Sequence, residues 1–405
     1  MSVTISSSTL SSSSSSDPNV NVSNKINIKS STSANDVLIS NKISSKISDS
    51  ITNQFITKDF VKLCKNYRYV PSVLPAVKRI IVLGDIHGDY NLAVKLLEIA
   101  NLIRIDNNNN KILWVGSDTY VVQVGDQIDR CRPDGGMTCD LKDATFDDEP
   151  SDIKILKLFD DLDSQAEKFG GRVISLLGNH ELMNAEGNMD YVSYENLKDF
   201  DNYIDPDNQS IRFNSGIEAR KHAFKPGNHI ARNLGCSRLC AVIVGSNLFV
   251  HGGFLDVLLY ELKITKKNDL EDINILVKKW LLGLINKEYV DHIIGYSKNS
   301  MFWNRILGNI PPTMSNEDNE CIKHIDKVIK VFELGSIYIG HTPQSFIHND
   351  GINSVCNNKV WRVDNASSKA FHMFDEDFLK TKRINKNRTP QVLEIIDDTK
   401  FKVLL

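Results

Sequence analysis

The chain is 405 residues long, with 41% apolar residues and a formal net charge of -3. That length holds two average domains or one large one, and that apolar fraction can fill a core. The near balance of charge gives no general reason to expect a nucleic-acid or membrane partner. The longest apolar runs, Arg79–Leu83 and Leu239–Val250, are too short or too interrupted to span a bilayer. The N-terminus has neither the basic head nor the apolar block of a secretory signal. Seven cysteines, at 64, 131, 139, 236, 240, 321 and 356, make an odd set without disulfide-framework spacing. That predicts free thiols and a cytoplasmic or other reducing intracellular compartment. Cys236 and Cys240 lie four apart but have no second pair to complete a zinc knuckle.

Taken in chain order, residues 1–57 are Ser- and Asn-rich, carry the run Ser11–Ser16 and have no aromatic before Phe55. With so little to bury, ordering them would cost backbone entropy without return, which predicts a disordered tail. One domain is expected over residues 58–405. Arg79–Leu83 is an apolar run ending at Gly84, which suits a buried strand. Leu92, Leu96, Ile99 and Ile103 then recur at helical steps. Lys111–Trp114 and Thr119–Val124 flank Gly116-Ser117-Asp118, the pattern of a hairpin. Ile155, Phe159, Leu162, Ala166 and Phe169 define a one-faced helix stopped by Gly170-Gly171, and Arg172–Leu177 reads as the next strand. Val242–Val250, Ser336–Ile339, Lys359–Val363 and Val392–Ile396 read as strands, and Leu270–Leu284 as a helix. The fold class expected is α/β, a two-sheet sandwich flanked by helices.

Polar clusters fall where the predicted strands stop. They are Gly84-Asp85-Ile86-His87-Gly88-Asp89, Gly125-Asp126-Gln127-Ile128-Asp129-Arg130, Gly178-Asn179-His180-Glu181, His251-Gly252-Gly253 and Gly340-His341-Thr342-Pro343. Strand ends in α/β folds converge, so residues distant in sequence can share one crevice. Each cluster alone is an ordinary turn; five of them after five strands are not. Carboxylate, imidazole and carboxamide together favour Mn, Fe, Zn, Ni or Co over Ca and Mg. No cysteine belongs to the set, which argues against a structural zinc or iron–sulfur site.

The series GDIHG, GDQIDR, GNHE, HGG and GHTP resembles the phosphoprotein phosphatase family of the calcineurin-like metallophosphoesterases, over roughly Lys78–Phe371. Met183–Gly187, Phe224–Gly227, Leu248–Val250 and Trp361–Asp364 resemble the bacterial-like branch called Shewanella-like phosphatases. The resemblance implies two divalent or mixed-valence transition-metal ions (Mn, Fe or Zn). Asp85, His87 and Asp126 would hold the first, and Asp126, Asn179, His251 and His341 the second. Arg130 and Arg305 would clamp phosphate, because a guanidinium can fork two oxygens. His180 would protonate the leaving alkoxide, with Asp129 orienting it. Arg362 and Asp364 would close the cleft rim. His222, His229, His292 and His372 match no ligand motif and are expected not to bind metal. The implied substrate is a phosphorylated protein or peptide, carrying phospho-Ser/Thr or phospho-Tyr. A dinucleoside-polyphosphate or other small-molecule phosphohydrolase and an inactive metal-binding scaffold are the competing readings.

Two departures bear on the site. The family usually has glycine after the arginine of its second motif, and here Cys131 stands there, close enough to the expected metals for its oxidation to affect activity. The stretch 132–152 is longer than the family needs and acidic from Asp140 onward, which reads as a tolerated surface insertion in preference to a cleft-edge loop.

Overall fold

The structure, a computed structural model, describes residues 52–405 apart from 107, 134, 135 and 315–317. The predicted tail lies outside the described residues as far as residue 51. Residues 52–57, the end of the stretch expected as a tail, are among the described ones. A π-helical turn, Phe55–Phe60, buries Phe55 and Phe60 against Cys64, Cys236, Ile275 and Leu282. The described residues fall in one compact unit. No helix among them is long and apolar enough to cross a membrane.

The strands run in chain order as β1 (Val73–Leu74), β2 (Arg79–Leu83), β3 (Ile103–Asp106), β4 (Lys111–Trp114), β5 (Tyr120–Gln123), β6 (Arg172–Leu176) and β7 (Arg238–Leu239). They continue as β8 (Ala241–Val244), β9 (Asn247–Val250), β10 (Ser336–Ile339), β11 (Asn353–Val355), β12 (Val360–Arg362), β13 (Val392–Ile396) and β14 (Lys400–Leu404). One six-stranded sheet has the order β14-β13-β2-β5-β6-β7, with β2, β5, β6 and β7 parallel. The other has the order β1-β8-β9-β10-β12-β11, with β9, β10 and β12 parallel.

The alternation of side chains along each strand builds three layers of core. Ile80, Val82, Val122, Ile174 and Leu176 face inward onto Val242, Val244, Phe249 and Tyr338 of the other sheet. Their neighbours Ile81, Leu83, Val121 and Val173 face outward onto Leu92, Leu96, Ile155, Phe159 and Leu162 of two helices. Those helices are Tyr90–Ile99, capped by the Asp89 side chain accepting from the Leu92 N–H, and Asp152–Ala166. A third layer packs Ile243, Leu248, Val250, Ile337 and Ile339 against helical residues such as Phe224, Leu234 and Trp280. The expected two-sheet α/β sandwich flanked by helices is therefore what forms.

The predicted hairpin does not form. β4 pairs antiparallel with β3 instead, while β5 enters the main sheet parallel to β2. The apolar run of β5 needs burial on both faces, which a small outlying hairpin cannot give it. Val242–Val250 likewise splits into β8 and β9 around Gly245.

The expectation of free thiols is overturned. Cys64–Cys236, Cys131–Cys139 and Cys321–Cys356 are disulfides, leaving only Cys240 free and buried. Two of the three join residues 172 and 35 positions apart, so only the tertiary fold brings them together. Disulfides persist in oxidising surroundings, so the reason for expecting a reducing compartment falls away.

Candidate metal centre

Six loops deliver the centre, each at the C-terminal end of a strand. β2 leads to Asp85 and His87, β5 to Asp126, β6 to Asn179, β9 to His251, β10 to His341 and β12 to Asp364. The turns are tight: His87, Asp126, Asp129 and His341 have φ of 47°, 53°, 69° and 63°. Left-handed backbone is costly for such residues, and its clustering here marks a site that the surrounding fold holds in place. Gly178 and Gly340 let the loops touch. A Cβ on either would come 2.1 Å from Asp126 Oδ1 or 2.2 Å from Asp85 Oδ1.

Asp126 Oδ2 is the hub. It lies 3.2 Å from His251 Nε2, 3.8 Å from His87 Nε2 and 3.9 Å from His180 Nε2. His87 Nε2 is also 3.8 Å from Asp85 Oδ2, and Asn179 Oδ1 is 2.9 Å from His251 Nε2. Two triads with donor atoms within 4.8 Å of one another result, His87–Asp126–His180 and Asp126–His251–His341, sharing Asp126. All six residues expected as ligands are thus brought together and buried. His180, expected as an acid and not a ligand, stands close enough to complete the first triad. Backbone carbonyls orient the rings: Val124 O lies 2.9 Å from His251 Nδ1, Trp303 O 3.2 Å from His341 Nε2 and Ile128 O 3.4 Å from His87 Nδ1. Such outer contacts fix which nitrogen points at a metal. Backbone N–H groups tie the loops across the centre: His180 donates to Asp126 Oδ1 and His341 to Asp85 Oδ2, each at 3.0 Å.

The electrostatics fit cations. Burial, then the carboxylates of Asp364 and Asp126, push Asp85 well above the usual carboxylate range. Burial, with Asp126 among its neighbours, raises Asp364 to about 6. Burial would raise Asp126 as well, but the imidazoles of His251, His180 and His87 hold it well below its ordinary value. Asp85 Oδ1 and Asp364 Oδ2 are buried with no hydrogen-bond partner. Buried carboxylate oxygens without donors are what a bound cation satisfies. The oxygen and nitrogen donor set, free of thiolate, suits a transition metal.

Further buried polar side chains brace this floor. His180 Nδ1 is 2.9 Å from Asp129 Oδ2, so the acceptor carboxylate holds a proton on Nδ1 and turns Nε2 toward the cleft. Asn184 donates to both Asp129 oxygens and accepts from Arg220, which pairs with Asp152 at 2.7 Å. Glu181 accepts from the N–H groups of Asp126, Gln127, Ile128 and Gly178. Glu181 and Asn184 stand in the quoted motifs but carry no expected role, and Arg220 was not singled out. Their position one and four residues after His180 on one helix, Asn179–Ala185, is the signal that could have found the first two.

One expected phosphate clamp and two expected rim residues lie elsewhere. Arg130 is fully buried, donating to Gly88 O at 3.1 Å and pairing with Glu149 at 2.7 Å, and it does not line the cleft. Arg362 is buried too, donating to Asn353 Oδ1 and Gly308 O, and so braces the loop after Arg305 in place of closing a rim. Asp364 is at the floor, beside Asp85. Arg305 does line the cleft and donates to His341 O. Arg132, which the sequence reading passed over, lines it as well. The stretch 132–152 is therefore no detached surface insertion: its start enters the cleft, while Glu149, Ser151 and Asp152 tie beneath it. His222, His229, His292 and His372 belong to neither triad. The cleft has a volume of about 900 Å³.

Two sheets whose strand ends converge on a shared aspartate, with imidazoles on both sides, define a metallophosphoesterase-like hydrolase. The sequence profile described as Calcineurin-like phosphoesterase matches residues 78–345, and the chain belongs to that family. It is 41% identical over 258 residues to an uncharacterized protein of Acanthamoeba polyphaga mimivirus, covering 61% of this chain and 97% of that one. It is 29% identical over 324 residues to Shewanella-like protein phosphatase 2 of Arabidopsis thaliana, covering 72% of each. A solved cold-active protein tyrosine phosphatase shares the fold with a TM-score of 0.55 at 18% identity, over 83% of this chain and 81% of that chain.

Proposed function

We propose that this chain is a protein phosphatase of the Shewanella-like branch, hydrolysing phosphomonoesters of Ser/Thr or Tyr side chains with two Mn, Fe or Zn ions. Asp126, common to both triads and open to the cleft, carries the reading. The ions would be held by Asp85, His87, Asp126, Asn179, His251 and His341. When bound, such a pair supplies Lewis acidity and an activated water. His180, its Nδ1 proton fixed by Asp129, delivers a proton from Nε2 to the leaving oxygen. Arg305 neutralises phosphoryl charge from the opposite loop. An inactive scaffold would have no use for the Asp129–His180 pair. Similarity to Shewanella-like protein phosphatase 2 supports the protein-substrate reading.

One observation favours a small-molecule substrate instead. Tyr296 and Trp303, with ring centroids 5.2 Å apart, both line the cleft and offer a face on which a base could stack. The Mn²⁺-loaded protein is therefore assayed on an aryl phosphate, on phosphopeptides and on diadenosine tetraphosphate. The proposal expects turnover of the first two. Exclusive cleavage of the dinucleotide would transfer the assignment to the second reading, and no turnover at all would end both.

A further inference from the structure

Two arginines flank Cys131, and the structure gives them opposite surroundings. Arg130 is fully buried and ion-paired to Glu149; its Nε and Nη2 are buried without a hydrogen-bond partner, but they do not line the cleft. Swinging it into the cleft would break both the ion pair to Glu149 and the bond to Gly88 O. Arg132 is half-buried at the cleft and makes no ion pair among the described residues. Its Nη1 donates to Asp129 O at 3.0 Å and Cys131 O at 2.8 Å, which spends one end of the guanidinium on its own loop. Nε and Nη2 make no hydrogen bond among the described residues. The plane is supported by Phe371 and Tyr191, with ring centroids 4.9 and 5.9 Å away.

An oriented guanidinium with an unused edge, set beside His87 and His180, is the arrangement that binds two oxygens of a phosphoryl group. The loop behind it is closed. Cys131 donates its N–H to Tyr191 O at 3.0 Å, and its side chain is bonded to Cys139, eight residues on. The side chain at 131 thus fills, with a covalent tie, the place where the family usually has glycine.

We propose that Arg132, and not Arg130, is the substrate-gripping partner of Arg305, with the Cys131–Cys139 disulfide holding it at the cleft. This deepens the phosphatase reading and rests on it for the identity of the ligand. Arg130 has a structural part only, tying the Gly88 turn to Glu149.

The test uses the full chain loaded with Mn²⁺ and measures inorganic phosphate binding by calorimetry, alongside turnover of an aryl phosphate and metal content. Arg132→Ala is expected to weaken phosphate binding about 10- to 100-fold, the scale of a charge-assisted hydrogen-bond pair, with metal content unchanged. Arg132→Lys recovers little of that loss, because the fork is gone. Arg130→Met lowers Tm but leaves phosphate affinity within about threefold of wild type, since no direct contact is lost. Cys131→Ser/Cys139→Ser falls between. Wild-type phosphate affinity in folded Arg132→Ala, a loss in Arg130→Met matching that expected of Arg132→Ala, or no phosphate binding by the wild type overturns the proposal. Phosphate binding that depends on Arg132 in a protein that turns over no ester would instead sink the phosphatase reading and leave Arg132 in place.

Discussion

The floor of the cleft and its wall are held by different forces. Asp126 is the third residue after β5, a strand buried on both faces, with its backbone N–H bonded to Glu181 and its side chain facing the imidazoles of His251, His180 and His87. Arg132 hangs on a long loop whose geometry comes from a disulfide, Phe371 and Tyr191. On the floor, every group answers to several others, so the site is defined by chemistry that short strand-end turns repeat. On the wall, one guanidinium answers to packing and to a covalent tie. Changes to the floor should cost metal; changes to the wall should spare metal and cost substrate.

Asp126→Asn gives the sharpest contrast. Losing the shared carboxylate removes several kcal/mol of Lewis-acid stabilisation, so kcat should fall on the order of 10³-fold and metal content should drop, read by steady-state kinetics and elemental analysis. Full metal content in that variant would erase the distinction between floor and wall. Next comes Asp129→Asn, which keeps the metals but frees His180 to turn, lowering kcat about 100-fold with KM little changed. Glu181→Gln weakens four backbone bonds at once, and a loss of about 2 kcal/mol in urea unfolding with roughly tenfold weaker metal binding is expected. An unchanged metal affinity there would mean the Asp126 turn needs no brace.

The smallest effect lies behind the wall. His372, in the segment Lys369–Phe374 that carries Phe371, is stacked on Phe378, and burial aided by Arg388 pulls its pKa down from 6.5 to about 4. Between those values the unfolded chain takes up a proton that the folded chain refuses, so this stability is lost as pH falls from 6.5 toward 4. His372→Phe should therefore lose less Tm than wild type between about pH 7 and about pH 4.5. Parallel losses in both proteins would show that acid acts elsewhere.

The strands that reach the centre could be read from local pattern. Arg79–Leu83 and Arg172–Leu176 are short, apolar and followed within two residues by glycine, and the helix at 152–166 announces itself by its one-faced spacing. The partner of β4 could not be read, because Ile103–Asp106 and Tyr120–Gln123 are almost equally near in sequence and only the burial available in the main sheet separates them. Arg130 was misplaced because a motif names a residue type and not its ion-pair partner; Glu149, 19 residues on, decides where that side chain goes.

By itself, the sequence determined which carboxylate, imidazole and carboxamide side chains stand at the strand ends, since they come soon after apolar runs and a short turn leaves little freedom. The tertiary structure alone decided which arginine faces the cleft, which cysteines bond, and that Asp364 lies on the floor. Those outcomes depend on contacts between segments far apart in the chain, where close packing and the cost of burying an unpaired charge choose among alternatives that local pattern leaves equal.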